Sequence, residues 1–203
     1  MPFKKLNSKI KEMLEHLEIT TPTPFQSKSI PVIKSGANIF CIAPKNSGKT
    51  TTLVLTTLHK LKFAEVGNTP RAVVLVENKE RGAEMYAAFF AYTRYKDIRV
   101  YLAEEKLHMD MIKSEIFEGI DILIATPNKL NKILLAAGVN PKQINLFSID
   151  DAEFLSQKSA NNDLMAITES INKCQFVLYS DKMHPHFKRF QSYFMQHSRI
   201  VKM

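Results

Sequence analysis

The chain of 203 residues holds only two cysteines, Cys41 and Cys174. Both lie in apolar, strand-like runs, and neither has the spacing of a disulfide framework or a metal knuckle. They are expected as reduced core thiols. Long apolar runs are also missing. No segment approaches the roughly 20 residues that a membrane helix needs. The basic, amphipathic stretch Met1–Lys11 lacks the apolar centre of a signal peptide. The expected location is cytoplasmic, with no membrane partner. The sequence shows no repeats, low-complexity tracts or linkers. Acidic residues are outnumbered, 20 against 28, for a formal net charge of +8. That imbalance points to an anionic partner, nucleic acid first; the bland alternative is a generally basic surface.

What is present begins with Ala43-Pro44-Lys45-Asn46-Ser47-Gly48-Lys49-Thr50. It follows the apolar run Ile39–Ile42 and precedes a helical pattern. Strand, tight loop ending in Gly-Lys-Thr, then helix is the setting of a phosphate-binding P-loop. Backbone N–H groups of the loop and the first helical turn converge on an anion, and the helix dipole adds to the attraction. Lys49 is expected to reach terminal phosphates and Thr50 to hold Mg²⁺.

Strand candidates are Ile39–Ala43, Ala72–Val76, Ile98–Leu102, Ile122–Ala125, Leu146–Ile149, Phe176–Ser180 and Arg199–Val201. Helical patterns alternate with them: Ser47–Phe63, Lys79–Tyr92, Leu107–Phe117, Asn128–Ala136, Asp163–Asn172 and His184–Met195. Leu6–Leu17 and Phe25–Lys34 precede the first strand, the second opened by Thr23 as N-cap and Pro24 at the first helical position. This alternation predicts an α/β fold, a doubly wound, mostly parallel sheet with helices on both faces. Ligands of such sheets bind at the carboxyl ends of strands. Asp150-Asp151-Ala152-Glu153 lies at such an end. Asp150 is the natural metal partner and Asp151 the candidate base.

Taken together, these segments resemble the first, ATP-binding domain of DEAD-box RNA helicases, a RecA-like P-loop domain. The resemblance covers residues 1–203 as one domain, with N-terminal helices over 1–36 and the P-loop core over 37–203. Thr21–Gln26 resembles the Q motif, which implies that Gln26 reads adenine and that Phe3 stacks on it. Ala43 to Thr50 resembles motif I, which itself starts with alanine, so Ala43, Asn46, Ser47, Gly48, Lys49 and Thr50 become the expected ATP contacts. Asp150 to Glu153 resembles the DEAD box. Thr126-Pro127-Asn128-Lys129-Leu130 resembles an RNA-contacting motif, implying RNA contacts at Thr126, Pro127 and Lys129. Lys79, Arg81 and Lys132 fall where the resemblance places further RNA backbone contacts. Ser180, at the family's Ser-Ala-Thr position, and Glu153 are implied to couple ATP to strand separation. ATP and Mg²⁺ are the implied cofactors, with Lys49, Asp150 and Asp151 catalytic and Thr50 and Asp150 holding the metal largely through water. RNA is the implied partner, together with a second helicase domain or partner chain, whose arginine fingers are expected to be absent from this sequence.

Several positions depart from the family pattern. Asn46 replaces a loop glycine, although asparagine tolerates left-handed backbone. Asp151 replaces the catalytic glutamate and is one methylene shorter; a misplacement of about 1 Å costs on the order of a hundredfold in rate. Asp181 and Lys182 replace the small partners of Ser180. Glu77-Asn78-Lys79-Glu80-Arg81 replaces the PTREL segment, and Glu104-Glu105 replaces a glycine pair past which RNA phosphates run. The expected function is ATP and RNA binding within RNA remodelling, with weak or no unwinding by this chain alone. A degenerate adaptor that no longer binds nucleotide stays open. A small-molecule phosphotransferase is disfavoured by the Gln26 and Thr126-Pro127 segments.

Overall fold

Short runs of β-branched and aromatic residues build the sheet. The strands are β1 (Ile39–Ile42), β2 (Ala72–Leu75), β3 (Val100–Leu102), β4 (Ile122–Ala125), β5 (Leu146–Ile149), β6 (Gln175–Ser180) and β7 (Arg199–Lys202). The computed structural model describes residues 2–94, 96–171 and 173–203. Among these residues the seven strands form one sheet in the order β3-β4-β2-β5-β6-β1-β7, and every pairing is parallel.

The side-chain period of two divides each strand between two cores. Ile39, Cys41, Val74, Ile124 and Tyr179 face one side, where α1 (Ser8–His16), α2 (Pro24–Lys34), α3 (Lys49–Lys60) and α4 (Lys79–Thr93) cover them. Phe40, Ile42, Val73, Leu123, Phe147 and Leu178 face the other. There α5 (Met109–Gly119), α6 (Pro127–Leu135), α7 (Lys158–Ser170) and α8 (Phe187–Phe190) cover them. The doubly wound α/β architecture is thus the one the alternation of segments predicts.

The element ends differ from the sequence pattern for local reasons. Helix α3 starts at Lys49 rather than Ser47 because Gly48 takes φ +93°. It stops at Lys60 because Lys62 and Phe63 turn left-handed. Strand β3 starts at Val100 rather than Ile98, the Arg99 N–H being held by the Asp121 carboxylate at 3.0 Å. Helix α7 begins at Lys158, five residues before the expected Asp163, through a polar turn with no apolar period; only Leu164 and Ile167 of it are fully buried. The expected end at Asn172 lies outside the described residues. The largest correction is at His184–Met195. One helical turn, Phe187–Phe190, is followed by turns in which N–H groups reach carbonyls three residues back. Phe187 and Phe190 are buried, and Phe194 packs with tilted rings against Phe176 and Phe190 at centroid distances of 4.9 and 5.0 Å. Aromatic packing against β1 and β6 therefore decides this path, while Tyr193 points to solvent at 58% exposure.

Two ends of the sheet concentrate charge. At the amino ends, fully buried Asp121 accepts from Arg71 Nη2 at 2.7 Å and from Arg99 Nε at 3.1 Å. It also accepts from the backbone of Val66 at 3.1 Å. Burial alone would raise its pKa, but the two arginines and the backbone donors hold it below its ordinary value. One carboxylate thereby ties together the starts of β2, β3 and β4. At the carboxyl ends, Ile42 pairs with Ser180 and Leu75 with Ile149. That register brings the segments after β1, β2, β5 and β6 to one edge.

Removing the Asp121 charge leaves two arginines without their shared partner. We expect Asp121→Asn to destabilise the fold by about 3 kcal/mol in urea unfolding near neutral pH. Because its folded pKa is depressed, the Asp121 contribution is complete above the ordinary value of 3.8 and fades as pH falls below it. The mutational difference should shrink in that acid range.

Candidate functional site

The loop between β1 and α3 is shaped by two left-handed residues. Asn46 adopts φ +62° and Gly48 φ +93°. Gly48 is required by its backbone angle, and a Cβ there would also press on the Gln26 amide nitrogen at 2.7 Å. The Thr23–Gln26 segment is a capping box: the Thr23 hydroxyl accepts from Gln26 N at 3.2 Å, and Gln26 Oε1 accepts from Thr23 N at 2.8 Å. The Thr23 hydroxyl also donates to Ser47 O at 2.7 Å, fastening α2 to the P-loop. Gln26 thus lies against Gly48. Phe3 does not offer the open face expected of it. It sits in the Pro2–Lys5 turn at 7% exposure, within the core that includes Leu6 and Ile10.

The loop borders a cleft of about 470 Å³ lined by Lys45, Asn46, Gly48, Lys49, Thr50, Thr51, Arg81 and Asp151. Lys49, the first residue of α3, is folded back on its own loop. Its Nζ donates to Ala43 O at 2.8 Å and to Pro44 O at 3.4 Å. It also contacts the Asp181 carboxylate directly and lies 3.6 Å from Asp151 Oδ1. The β1–β6 pairing, continued by Ala43 N to Ser180 O at 3.0 Å, places Asp181 beside the loop. Ser47 Oγ is buried without a hydrogen-bond partner among the described residues.

Asp150 follows β5 and is 1% exposed. Arg81, in the first turn of α4, reaches it with Nη2 at 2.7 Å and Nε at 3.1 Å, both on Oδ2. The same Nη2 lies 3.0 Å from Asp151 Oδ2. Asp150 Oδ1 is buried with no partner among the described residues. Burial raises the Asp150 pKa to about 6, with the neighbouring Asp151 adding to the rise and Arg81 opposing it. Asp151 itself takes φ +42°, opening the short turn Ala152–Ser156. Glu153 Oε1 accepts from Ser180 Oγ at 2.7 Å and from Asp181 N at 2.6 Å, so the two residues expected to couple are in contact.

This arrangement does not fit Mg²⁺ held as the family resemblance implies. A hard cation wants several oxygens in octahedral geometry. Thr50 does line the cleft. Asp150 Oδ2 is occupied by the Arg81 guanidinium, and Oδ1 is buried.

The expected RNA residues divide. Lys79 and Lys132 are exposed. Lys129 is corrected: it is 5% exposed, and its Nζ donates to Glu105 O at 3.1 Å and Leu107 O at 3.0 Å, bracing a loop against α6. Thr126 caps α6, and its hydroxyl contacts the Glu105 carboxylate. Pro127, at the first helical position, is buried. Arg81 turns inward to the cleft instead of outward to a nucleic acid. Arg81 and Asp181 are the cleft residues that sequence reasoning did not place there; their signal was charge at positions where the resemblance leads one to expect small or apolar residues.

A family model described as DEAD/DEAH box helicase matches residues 23–184. The chain belongs to this family. It is 24% identical over 204 residues to the ATP-dependent RNA helicase dbp9 of Botryotinia fuckeliana (strain B05.10), covering 98% of this chain and 34% of that protein. It is 23% identical over 176 residues to the probable ATP-dependent RNA helicase ddx42 of Dictyostelium discoideum, covering 85% and 18%. A DEAD box protein from the hyperthermophile Methanococcus jannaschii shares the fold with a TM-score of 0.87 at 19% identity, over 98% of this chain and 54% of that one. The chain spans about a third or less of these two curated relatives' length. DEAD-box ATP-dependent helicases use ATP, usually with Mg²⁺. No helix among the described residues is long and apolar enough to cross a membrane.

Two outcomes follow from this geometry. The Asp150 pKa is raised in the fold, so ionising it opposes folding, and stability should fall as pH rises from about 4 to about 6. Asp150→Asn should remove that slope in thermal melts run across the range. Lys129→Ala should cost about 2 kcal/mol of stability, from two lost hydrogen bonds and the buried stem. RNA affinity, measured by fluorescence anisotropy on folded protein, should be unchanged.

Proposed function

We propose that this chain binds ATP in the cleft, as the nucleotide-binding half of a DEAD-box-type RNA-remodelling ATPase, and that it hydrolyses and unwinds weakly by itself. The observation that carries the reading is Lys49. Its ammonium is held at the N-terminus of α3 by carbonyls and by a carboxylate, Asp181, in the position of an anion receptor already filled by an internal anion. A terminal phosphate would replace Asp181 there, and the buried Ser47 hydroxyl would acquire the partner it lacks. Gln26 beside Gly48 supports an adenine-bearing nucleotide. Weak turnover follows from the short Asp151, which Arg81 and Lys49 already engage. A second helicase domain or a partner chain would supply the remaining arginines.

RNA is the proposed partner, bound through its phosphates by the surplus of basic residues, with Lys79 and Lys132 exposed beside the strand ends. The unpaired thiols Cys41 and Cys174 suit a reducing, cytoplasmic setting.

A second reading is favoured by one observation. Two of the cleft's cations, Lys49 and Arg81, are neutralised by carboxylates of the chain itself, so the fold does not need a nucleotide to satisfy them. In that reading the domain is an adaptor. Titration calorimetry with ATP separates the two: wild type should bind, and Lys49→Ala should lose at least about tenfold in affinity. Failure of both to bind overturns the nucleotide reading. In steady-state assays with saturating RNA, turnover by this chain should stay near the blank, and robust RNA-stimulated hydrolysis would overturn the weak-catalysis part.

A further inference from the structure

Arg81 is oriented more completely than a surface arginine needs to be. Its backbone N–H is held by the Asn78 side chain at 2.9 Å, which fixes the first turn of α4. Glu84 Oε2 takes Nη1 at 2.6 Å, one turn along the same helix. Nε and Nη2 converge on Asp150, and Nη2 also reaches Asp151. The guanidinium is 28% exposed and lines the same cleft as Lys49 and Thr50. The family pattern has leucine at this place in the PTREL segment, so the charge is a property of this chain.

A divalent cation in a nucleotide cleft supplies positive charge between the protein's carboxylates and the incoming phosphates, which otherwise repel one another. Here that charge is covalently part of α4. A guanidinium is permanently protonated, and its planar fork suits carboxylate and phosphate oxygens alike. The fully buried carboxylate of Asp150, the implied metal partner, already has Arg81 on Oδ2.

We propose that Arg81 takes the place of the divalent cation, so that the cleft binds a nucleoside triphosphate without requiring Mg²⁺. This rests on the nucleotide-binding reading above. Arg81 is here a binding and specificity residue, and no chemical step is assigned to it.

The test is calorimetric titration of the full chain with a non-hydrolysable ATP analogue, once in excess EDTA and once in excess Mg²⁺. Wild type should show affinities that agree within about threefold. Arg81→Leu restores the apolar residue of the family pattern, and its folding is checked by a thermal melt. It should bind at least about tenfold more tightly with Mg²⁺ than with EDTA. Wild-type binding seen only with Mg²⁺ overturns the proposal and leaves the nucleotide reading standing. Absence of wild-type binding in both media overturns both. An Arg81→Leu protein that binds equally in both media, or in neither, also overturns the proposal, because the metal then does not substitute for the arginine.

Discussion

Parallel register is the constraint on which the rest of this molecule depends. With every strand running the same way, the residues that follow β1, β2, β5 and β6 must emerge at one edge of the sheet. The P-loop, the first turn of α4, the acidic pair Asp150-Asp151 and Asp181 therefore share one small volume. Carboxylates and ammonium groups placed that close, partly shielded from water, interact several times more strongly than they would in bulk solvent. They have to be neutralised, and in this chain they neutralise one another.

The pairing that results is specific. Lys49 is met by Asp181 and Asp151, and Asp150 and Asp151 are met by Arg81. Each contact joins residues far apart in sequence, Lys49 to Asp181 across 132 positions and Arg81 to Asp150 across 69. A triphosphate reaching Lys49 and Arg81 would therefore have to displace internal ion pairs. Such exchange lowers net affinity, because breaking an internal ion pair offsets much of the attraction between the lysine and the phosphate. The opposite end of the sheet uses the same principle for stability. Asp121, fully buried between Arg71 and Arg99, organises the starts of three strands, at the end of the sheet away from the P-loop cleft.

Much of this was legible in the sequence. All seven strand runs are present in the sheet; the central ones are short, near-continuous apolar runs, which have few ways to be buried other than between two layers of helices. The P-loop and the acidic pair were legible because phosphate and carboxylate chemistry demands those residue types at strand ends. Lys129 was misread for a physical reason. A lysine one turn into a helix looks solvated in sequence, yet its four-carbon stem reaches two carbonyls of the loop before α5. The one-turn length of α8 was hidden because its aromatic spacing suits a helix, while packing of Phe187, Phe190 and Phe194 against the sheet follows a tighter path.

The sequence by itself determined the α/β class, the strand and helix segments and the placement of the P-loop motif after β1. These are set by local periodicity and by short motifs whose residues act within a few positions of each other. Only the tertiary structure decided which charges meet: that Asp181 engages Lys49, that Arg81 covers Asp150, and that Glu105 engages Thr126. Those contacts depend on strand order, register and the reach of long side chains. None of these is encoded in the spacing of residues along the chain.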